Sequence, residues 1–465
     1  MAPPEPGTEI DGFRLGELMH VGTMAWVYRL LGTDGPLPLI MKIPRLGAGE
    51  RAVNVVSFEQ CRLVLGALAQ GPHYPTLVAY GDVETTPYLV MEFVEGERLI
   101  EWTQRAPIPA PDIARIATAL ALALDEIHRQ DVVHLDLKAT NVIFRENGKA
   151  VLIDFGLSHH GHYPDLLAEE FRYPVGNWEY MSPEQILGIR CDPRSDIFAL
   201  GGLLYELATG QQPFGRPQSM AHLRRRLYRD PVPPAALVAT TPPWLQEIIL
   251  HCLEVDNRRR YASAAEVAID LANPGQIALT DRAVKRRRSS WTTTLFHRMS
   301  ADRFVPAPCP PLAMQSSDAP IVLVAIDCMQ GDEPLLEALR EAVRRIAAVN
   351  DRCRIACATV VPPAAALEGE GEQATATGRH IKHLVTLRQW ARPLELPEER
   401  LTCHVLESDK PAAALVDYAT VNEVDEMLIG APHRLASVRL FLSVAESVVR
   451  DAPCSVKVVR VPRHD

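Results

Sequence analysis

Between about residue 275 and residue 318 the apolar periodicity of the chain stops. A basic run from Lys285 to Arg288, a Ser/Thr-rich patch from Ser289 to Thr294 and the PAPCPP segment from Pro306 to Pro311 follow one another there. Stretches of that composition connect cores rather than build them. With 465 residues, more than one core usually serves, the chain divides at this point. Upstream, residues from about Asp11 to Gly35 alternate like paired strands, and PLPLIMKI continues the alternation before a helical stretch near Ala52. From about Pro111 to Ala272 apolar residues recur at helical spacing, broken by short strand-like runs at 132–133 and 150–153. A small sheet followed by helices implies an α+β unit with two lobes. Downstream, IVLVAID, RIACATVV, LTCHVL, DEMLIG and CSVKVVRV are buried-type strands, each but the last followed by a helical segment. That alternation predicts an α/β domain with a parallel sheet covered on both faces.

Composition narrows the function classes. Hydrophobic residues make up 47% and charged residues 23%, so both units can fold around real cores. A net charge of -10 argues against a chain-wide grip on nucleic acid or anionic lipid. Nine cysteines are scattered without CxxC pairs, and Cys353 with Cys357 lacks zinc-site partners; they read as reduced thiols of a cytoplasmic protein. MAPPEPGTEIDG has neither the basic flank nor the apolar run of a signal peptide. The greasiest helix candidate, IARIATALALALDEI, contains Arg115 and Asp125, so no membrane span is expected.

Several charged and amide residues have a spacing that suits phosphoryl transfer, which needs a held triphosphate, neutralised charge and a positioned hydroxyl. Lys42, in LIMKIP, is a single cation in an apolar run whose burial requires an anionic partner. Phosphate oxygens, and Glu59 in the following helix, would supply it; alone, a strand-edge lysine facing solvent is the simpler reading. VVHLDLKATNVIF places Asp136, Lys138 and Asn141 on a loop after one apolar strand, and AVLIDFGLS places Asp154 after another. Asp136 can orient a hydroxyl and accept its proton. Lys138 adds positive charge where negative charge develops. Asn141 and Asp154 offer the hard oxygen ligands that Mg²⁺ prefers.

The order Lys42, Glu59, HLDLKATN, DFG (Asp154, Phe155, Gly156) and SPE (Ser182, Pro183, Glu184) resembles that of eukaryotic-type serine/threonine protein kinases, a family also found in bacteria. The resemblance covers about residues 11–272. It implies ATP and Mg²⁺ as cofactors and protein substrates, with Lys138 in DLKATN favouring serine and threonine over tyrosine. It assigns Met91, Glu92 and Val94 in PYLVMEFVEGE to the adenine-binding hinge. It places Met19, His20, Val21, Gly22 and Val27 around the phosphates, and it pairs Arg260 with Glu184. Asp196, in RSDIFALGGLLYELATG, would anchor the catalytic loop.

Departures from the pattern carry their own expectations. His20 and Ala25 stand where the family usually has glycine, which is expected to weaken nucleotide binding or slow turnover unless His20 itself contacts phosphate. Leu135 replaces the arginine that clamps a phosphorylated activation segment in many members. Between Asp154 and Glu184 there is no threonine, and serine occurs only at Ser158 and Ser182, so switching by activation-segment phosphorylation is not expected. Asn177 replaces a threonine near the substrate turn, and its amide is expected to bridge Asp136 and Lys138. His159, His160 and His162 are expected on an exposed loop rather than at a metal.

The last 145 or so residues resemble a universal stress protein domain, with Asp327 after the opening strand and a closing β-α-β unit from DEMLIG to VKVVRV. Gly430 fits that family's phosphate-cradling loop, but His433 and Leu442-Ser443 replace its downstream glycines. An interaction or homodimerising role is therefore expected over nucleotide binding. The linker from Asp281 to Arg303 holds seven basic and two acidic residues. It reads as a solvated tether, or more sharply as an autophosphorylation strip at Ser289, Ser290 and Thr292 to Thr294. The domain reading is thus a kinase at 11–272, a linker at 273–318 and a stress-protein-like domain at 319–465. A pseudokinase scaffold or a nucleotide sensor without transfer activity is the alternative.

Overall fold

Alternation in the sequence becomes a six-stranded antiparallel sheet of order β1-β2-β3-β4-β6-β5. Its strands are β1 (Glu9–Ile10), β2 (Phe13–Val21), β3 (Ala25–Leu31), β4 (Leu39–Pro44), β5 (Leu77–Gly81) and β6 (Tyr88–Glu92). The computed structural model of the chain describes residues 3–32, 35, 37–46, 53–81, 86–163, 165, 167, 174–288, 305–306, 320–328, 333–350, 353–362, 376–397, 400–422, 424–431 and 438–461. Ser289 to Thr294, His433 and the side chains of Leu442 and Ser443 lie outside them. Successive residues of a strand face opposite sides of a sheet. In β4 this puts Leu39, Met41 and Ile43 into a core with Leu15, Trp26 and Tyr28, and leaves Lys42 on the other face. The helix Val53–Ala67 follows, buried at every position from Val53 to Cys61.

Helices build the second lobe. Ala110–His128 lies against Ala264–Ala272 and Arg194–Thr209, and the last of these is buried almost throughout, as a helix apolar on every side must be. Glu184, at the start of the short helix Pro183–Ile186, meets Arg260 in a two-pronged pair of 2.6 and 2.8 Å with both side chains fully buried. Burial opposes the Glu184 charge, but Arg260 and the Ser195 hydroxyl hold its carboxyl below the ordinary range.

The basic stretch after residue 275 departs from a free tether. Arg282 pairs with Glu247 and Glu254, the Thr280 hydroxyl meets Glu247, and Lys285 reaches Asp230. Residues 280–285 are thereby part of the second lobe's surface. Among the described residues seven cysteines are free thiols, whereas Cys191 is disulfide-bonded, unlike the reading of all nine as reduced.

The C-terminal sheet is parallel throughout. Its strands are β7 (Ile321–Ala325), β8 (Arg354–Val361), β9 (Leu401–Glu407), β10 (Glu426–Gly430) and β11 (Ser455–Val459), in the order β9-β8-β7-β10-β11. Alternate side chains divide between two cores. Leu323, Ala356 and Met427 pack with Leu415 and Tyr418 of the helix Pro411–Val421 and with Val448 of Val438–Asp451. Val322, Val324, Ile355 and Cys357 belong with Leu339 of Glu333–Val349 and Leu384 and Leu387 of Ala376–Ala391, in an apolar cluster that continues into the core of the first unit. Gly430 is spoken for by packing: a Cβ there would lie 3.0 Å from Leu335.

Breaking a buried ion pair strands one charge without water. Arg260→Ala is expected to cost about 3–5 kcal/mol, read as a lowered urea midpoint of the transition that reports the N-terminal two lobes.

Candidate active site

The loop that carries Asp136 is held at its entrance by a carboxylate. The short strand Val132–Val133 pairs with His159–His160, and the chain then turns into the loop. Asp196, buried in the first turn of its helix, accepts the backbone N–H groups of His134 and Leu135, both at 2.8 Å, and lies 2.9 Å from His128 Nε2. Burial works against the Asp196 charge, yet these donors keep its pKa lowered. Leu135 has φ +62, a conformation a branched residue adopts only when its surroundings impose it. Gln185 Nε2 completes the restraint by donating to Leu135 O at 2.9 Å.

Asp136 is delivered by that turn, almost fully buried. Its Oδ2 accepts from Lys138 Nζ at 2.6 Å and Asn141 Nδ2 at 3.1 Å, and its Oδ1 accepts the Asn177 backbone N–H at 3.3 Å. Asp136 N donates to His134 Nδ1, which leaves His134 Nε2 to donate to Ile153 O, just before Asp154. The His134 ring stands 5.1 Å from that of Phe155, which also meets Tyr74 edge-on. One histidine thus ties the two acidic loops together.

Lys42 reaches this cluster from β4. Its Nζ lies 2.6 Å from Asp154 Oδ1. Burial disfavours the ammonium, but Asp154, with Asp136 farther off, more than offsets it, so the Lys42 pKa is raised. In return Lys42 holds the Asp154 carboxyl down at about 2, against its desolvation and with help from Lys138. The mutual influence of Lys42, Asp136, Lys138 and Asp154 places four charges in one cleft. Glu59 is not the partner of Lys42. Its Oε2 accepts from Arg62 Nη2 at 3.2 Å and from Arg388 Nη2, on the C-terminal helix Ala376–Ala391, at 2.6 Å. The helix carrying Glu59 is pressed onto the Asp154 loop, since a Cβ on Gly156 would fall 2.1 Å from Ser57 Oγ.

Donor chemistry at the cleft suits a hard cation. Asn141 spends its amide N–H groups on Asp136, and Lys42 takes Asp154 Oδ1. Asn141 Oδ1 and Asp154 Oδ2 accept from no described residue, so each can offer an oxygen to Mg²⁺.

The nucleotide-facing expectations fall on the sheet above. His20 pairs with Val27 and Val21 with Trp26 across β2 and β3. Met19, His20 and Val21 are exposed, and Gly22 closes the turn by donating to Ala25 O at 2.9 Å. Met91 is buried between Ile40 and Leu77 on its neighbouring strands. Glu92 is buried and paired with Arg145 at 2.6 Å, so its side chain braces the hinge. Val94 packs on Ile143 and Val151.

Two expectations are corrected. The Asn177 side chain does not bridge Asp136 and Lys138: its Oδ1 caps Glu179 N at 3.0 Å, and only its backbone reaches Asp136. Nor is the histidine cluster an exposed loop. His159 and His160 form a strand, His160 is buried, and its pKa is pushed down to about 3 by burial and by the two neighbouring histidines. No cluster of three or more His, Cys, Asp or Glu side chains placed to hold a metal occurs among the described residues. Asp165 pairs with Arg190 at 2.7 Å, and Arg190 also donates to Leu157 O at 2.8 Å, which fixes the start of the activation segment. Buried Arg226 braces the substrate-side turn through Trp178 O at 2.7 Å and Met181 O. Neither arginine stands in a local pattern that marks its role, because each acts across a fold.

Parts of the chain match known protein families. Residues 69–270 match the family model described as protein kinase domain, and residues 320–460 match the universal stress protein family. The chain therefore carries a protein kinase domain. A universal stress protein domain follows it, in an architecture that joins the two-lobed α+β fold to a parallel α/β sheet. Over 271 residues it is 29% identical to a probable serine/threonine-protein kinase PknB from Bifidobacterium longum, covering 56% of this chain and 39% of that one. Over 270 residues it is 30% identical to serine/threonine-protein kinase PknB from Mycolicibacterium smegmatis, covering 56% and 42%. The chain thus spans about two-fifths of the length of these curated relatives. A crystal structure of a mutant form of the Mycobacterium tuberculosis PknI kinase domain aligns with 59% of this chain and all of that chain at 20% identity and a TM-score of 0.45. No described helix is long and apolar enough to cross a membrane.

Two measurements follow from the geometry. Below pH ~6.5 the unfolded chain protonates the residue-160 imidazole while the folded chain resists until about pH 3. Stability from this group is full above pH ~6.5 and falls by about 1.4 kcal/mol per pH unit beneath it. His160→Gln is expected to flatten the urea midpoint against pH between about 6.5 and 5. Ser158 and Ser182 are fully buried, with their hydroxyls bonded to His134 O and Ser195 Oγ. Phosphopeptide mapping of the protein incubated with ATP is expected to find both unmodified.

Proposed function

We propose that the chain is an ATP- and Mg²⁺-dependent serine/threonine protein kinase. The observation that carries the reading is the convergence of Lys42, Asp136, Lys138, Asn141 and Asp154, distant in sequence, on one cleft. Phosphoryl transfer needs those parts and little covalent help from the protein.

In this reading Lys42 holds the nucleotide phosphates, and the exposed loop through Met19, His20, Val21 and Gly22, with Val27 behind it, covers them. The hinge at Met91, Glu92 and Val94 receives the adenine. Asn141 and Asp154 hold Mg²⁺, which when bound neutralises charge on the triphosphate. The Asp136 carboxylate, released by Lys138 as that ammonium turns to the transferring group, orients the substrate hydroxyl and accepts its proton. The Asn177 N–H keeps Asp136 oriented as a backbone donor, which explains why the family's usual side chain can be absent. Substrates are serine or threonine hydroxyls of proteins, including this chain's own linker, and the setting is the cytoplasm. The C-terminal domain serves as an interaction module that supports a homodimer. Its nucleotide-binding use is disfavoured by Leu335, which fills the space over Gly430.

Purified protein incubated with γ-labelled ATP and Mg²⁺ is expected to label itself or a generic basic substrate. Asp136→Asn is expected to lower the rate by about 10²- to 10⁴-fold while leaving the thermal transition in place. Equal labelling by both proteins would remove the kinase reading.

A further inference from the structure

The kinase domain is gripped by the domain that follows it. Arg388 Nη2 lies 2.6 Å from Glu59 Oε2, bringing together residues 329 positions apart. Both side chains are largely shielded, at 18% and 8% exposure, so this is not a loose surface pair screened by water. A second tie lies nearby. The Asp165 backbone N–H, in the activation segment, donates at 2.9 Å to Oδ1 of Asn422, which caps the helix Pro411–Val421. Tyr163 of the same segment shares a small cavity with Arg354, Arg400 and Thr402 of the C-terminal sheet. The helix Val53–Ala67 is buried around its circumference from Val53 to Cys61, where a helix on a lobe's edge ordinarily leaves one face to water. One apolar cluster runs without a break from Val55 and Phe58 to Leu384 and Leu387.

Glu59 is where several cations converge. Phosphoryl transfer in this fold requires the strand lysine paired with the helix glutamate, with the DFG aspartate on the metal. Here the lysine–glutamate pairing is absent. Glu59 Oε2 is shared by Arg62 and Arg388, and Lys42 pairs instead with Asp154 Oδ1. Glu59 Oε1 and both polar atoms of Gln60 are buried without a hydrogen-bond partner among the described residues. Buried polar atoms are ordinarily paired, so these are open to a partner. Lys42 is the cation that could satisfy Glu59 once Arg388 leaves.

We propose that the universal stress protein domain is an intramolecular inhibitor of the kinase, with Arg388 as the latch that withholds Glu59 from Lys42 and Asn422 as a second hold on the activation segment. Docked, the domain keeps the Lys42–Asp154 pair and an incomplete site. Undocked, it lets Glu59 take Lys42 and frees Asp154. The device agrees with the missing arginine at Leu135 and the two buried serines: with no phosphate switch in the segment, the restraint sits in the neighbouring domain. The inference rests on the kinase reading.

The test uses the full chain. Arg388→Ala and Arg388→Glu are compared with the unmodified protein for labelling of a generic substrate, alongside amide hydrogen exchange of residues 53–67. Both variants are expected to raise the rate about 5- to 150-fold, the usual range of coupling between two sites, with Arg388→Glu at the upper end. Exchange in the 53–67 helix is expected to quicken. Asn422→Ala is expected to raise the rate by a smaller factor, and Arg388→Lys, which keeps the charge but not the fork, to lie between the unmodified protein and Arg388→Ala. An active unmodified protein whose rate and exchange are unchanged in Arg388→Ala and Arg388→Glu overturns the inhibitor while leaving the kinase. Absence of transfer in all variants overturns the kinase reading, and the inhibitor with it.

Discussion

The Asp196 carboxylate decides whether this site exists. A fully buried charge is tolerated only where donors surround it, and Asp196 gathers two backbone N–H groups and an imidazole. Those donors belong to the turn that forces Leu135 into a left-handed conformation and sets the direction of Asp136. The strain at Leu135 is local, while the compensation comes from a helix much later in the chain and from Gln185. Lys138, Asn141 and the Asn177 backbone then arrange themselves on Asp136, and His134 passes the constraint to the Asp154 loop. Without that carboxylate Asp136, Asn141 and Asp154 have no common frame.

Charge neutralisation organises the opposite wall. Lys42 needs an anion because β4 carries it into the cleft between apolar neighbours. Which anion it finds depends on where the Val53–Ala67 helix is held, and that helix is wedged between the Gly156 backbone and the C-terminal domain. In the proposed kinase the same ammonium would hold the nucleotide phosphates and report how the Val53–Ala67 helix is placed.

Much of this was legible in the sequence, for identifiable reasons. Period-two alternation pointed to the sheet, and the structure then put Lys42 opposite the core residues Leu39, Met41 and Ile43. The β-α alternation of the last third pointed to the parallel sheet, although strand order came only from the structure, as pairing partners are not encoded locally. Residues near each other in sequence, Asp136 with Lys138 and Asn141, assemble through short loops that a motif captures. What escaped was side-chain direction and everything across domains. The choice of Asn177 between backbone and amide, the burial of His160 on a strand, and the partner of Glu59 each depend on neighbours far along the chain. Arg388 is an ordinary helix arginine until a folded neighbour puts a carboxylate within its reach.

The anchoring of residues 280–285 on the second lobe shortens the connection to the C-terminal sheet, which begins at Ile321. A chain spans at most about 3.5 Å per residue, so the two units stay within a bounded volume however dilute the protein becomes. Contact between them within one chain is consequently unimolecular, favoured by a high effective concentration.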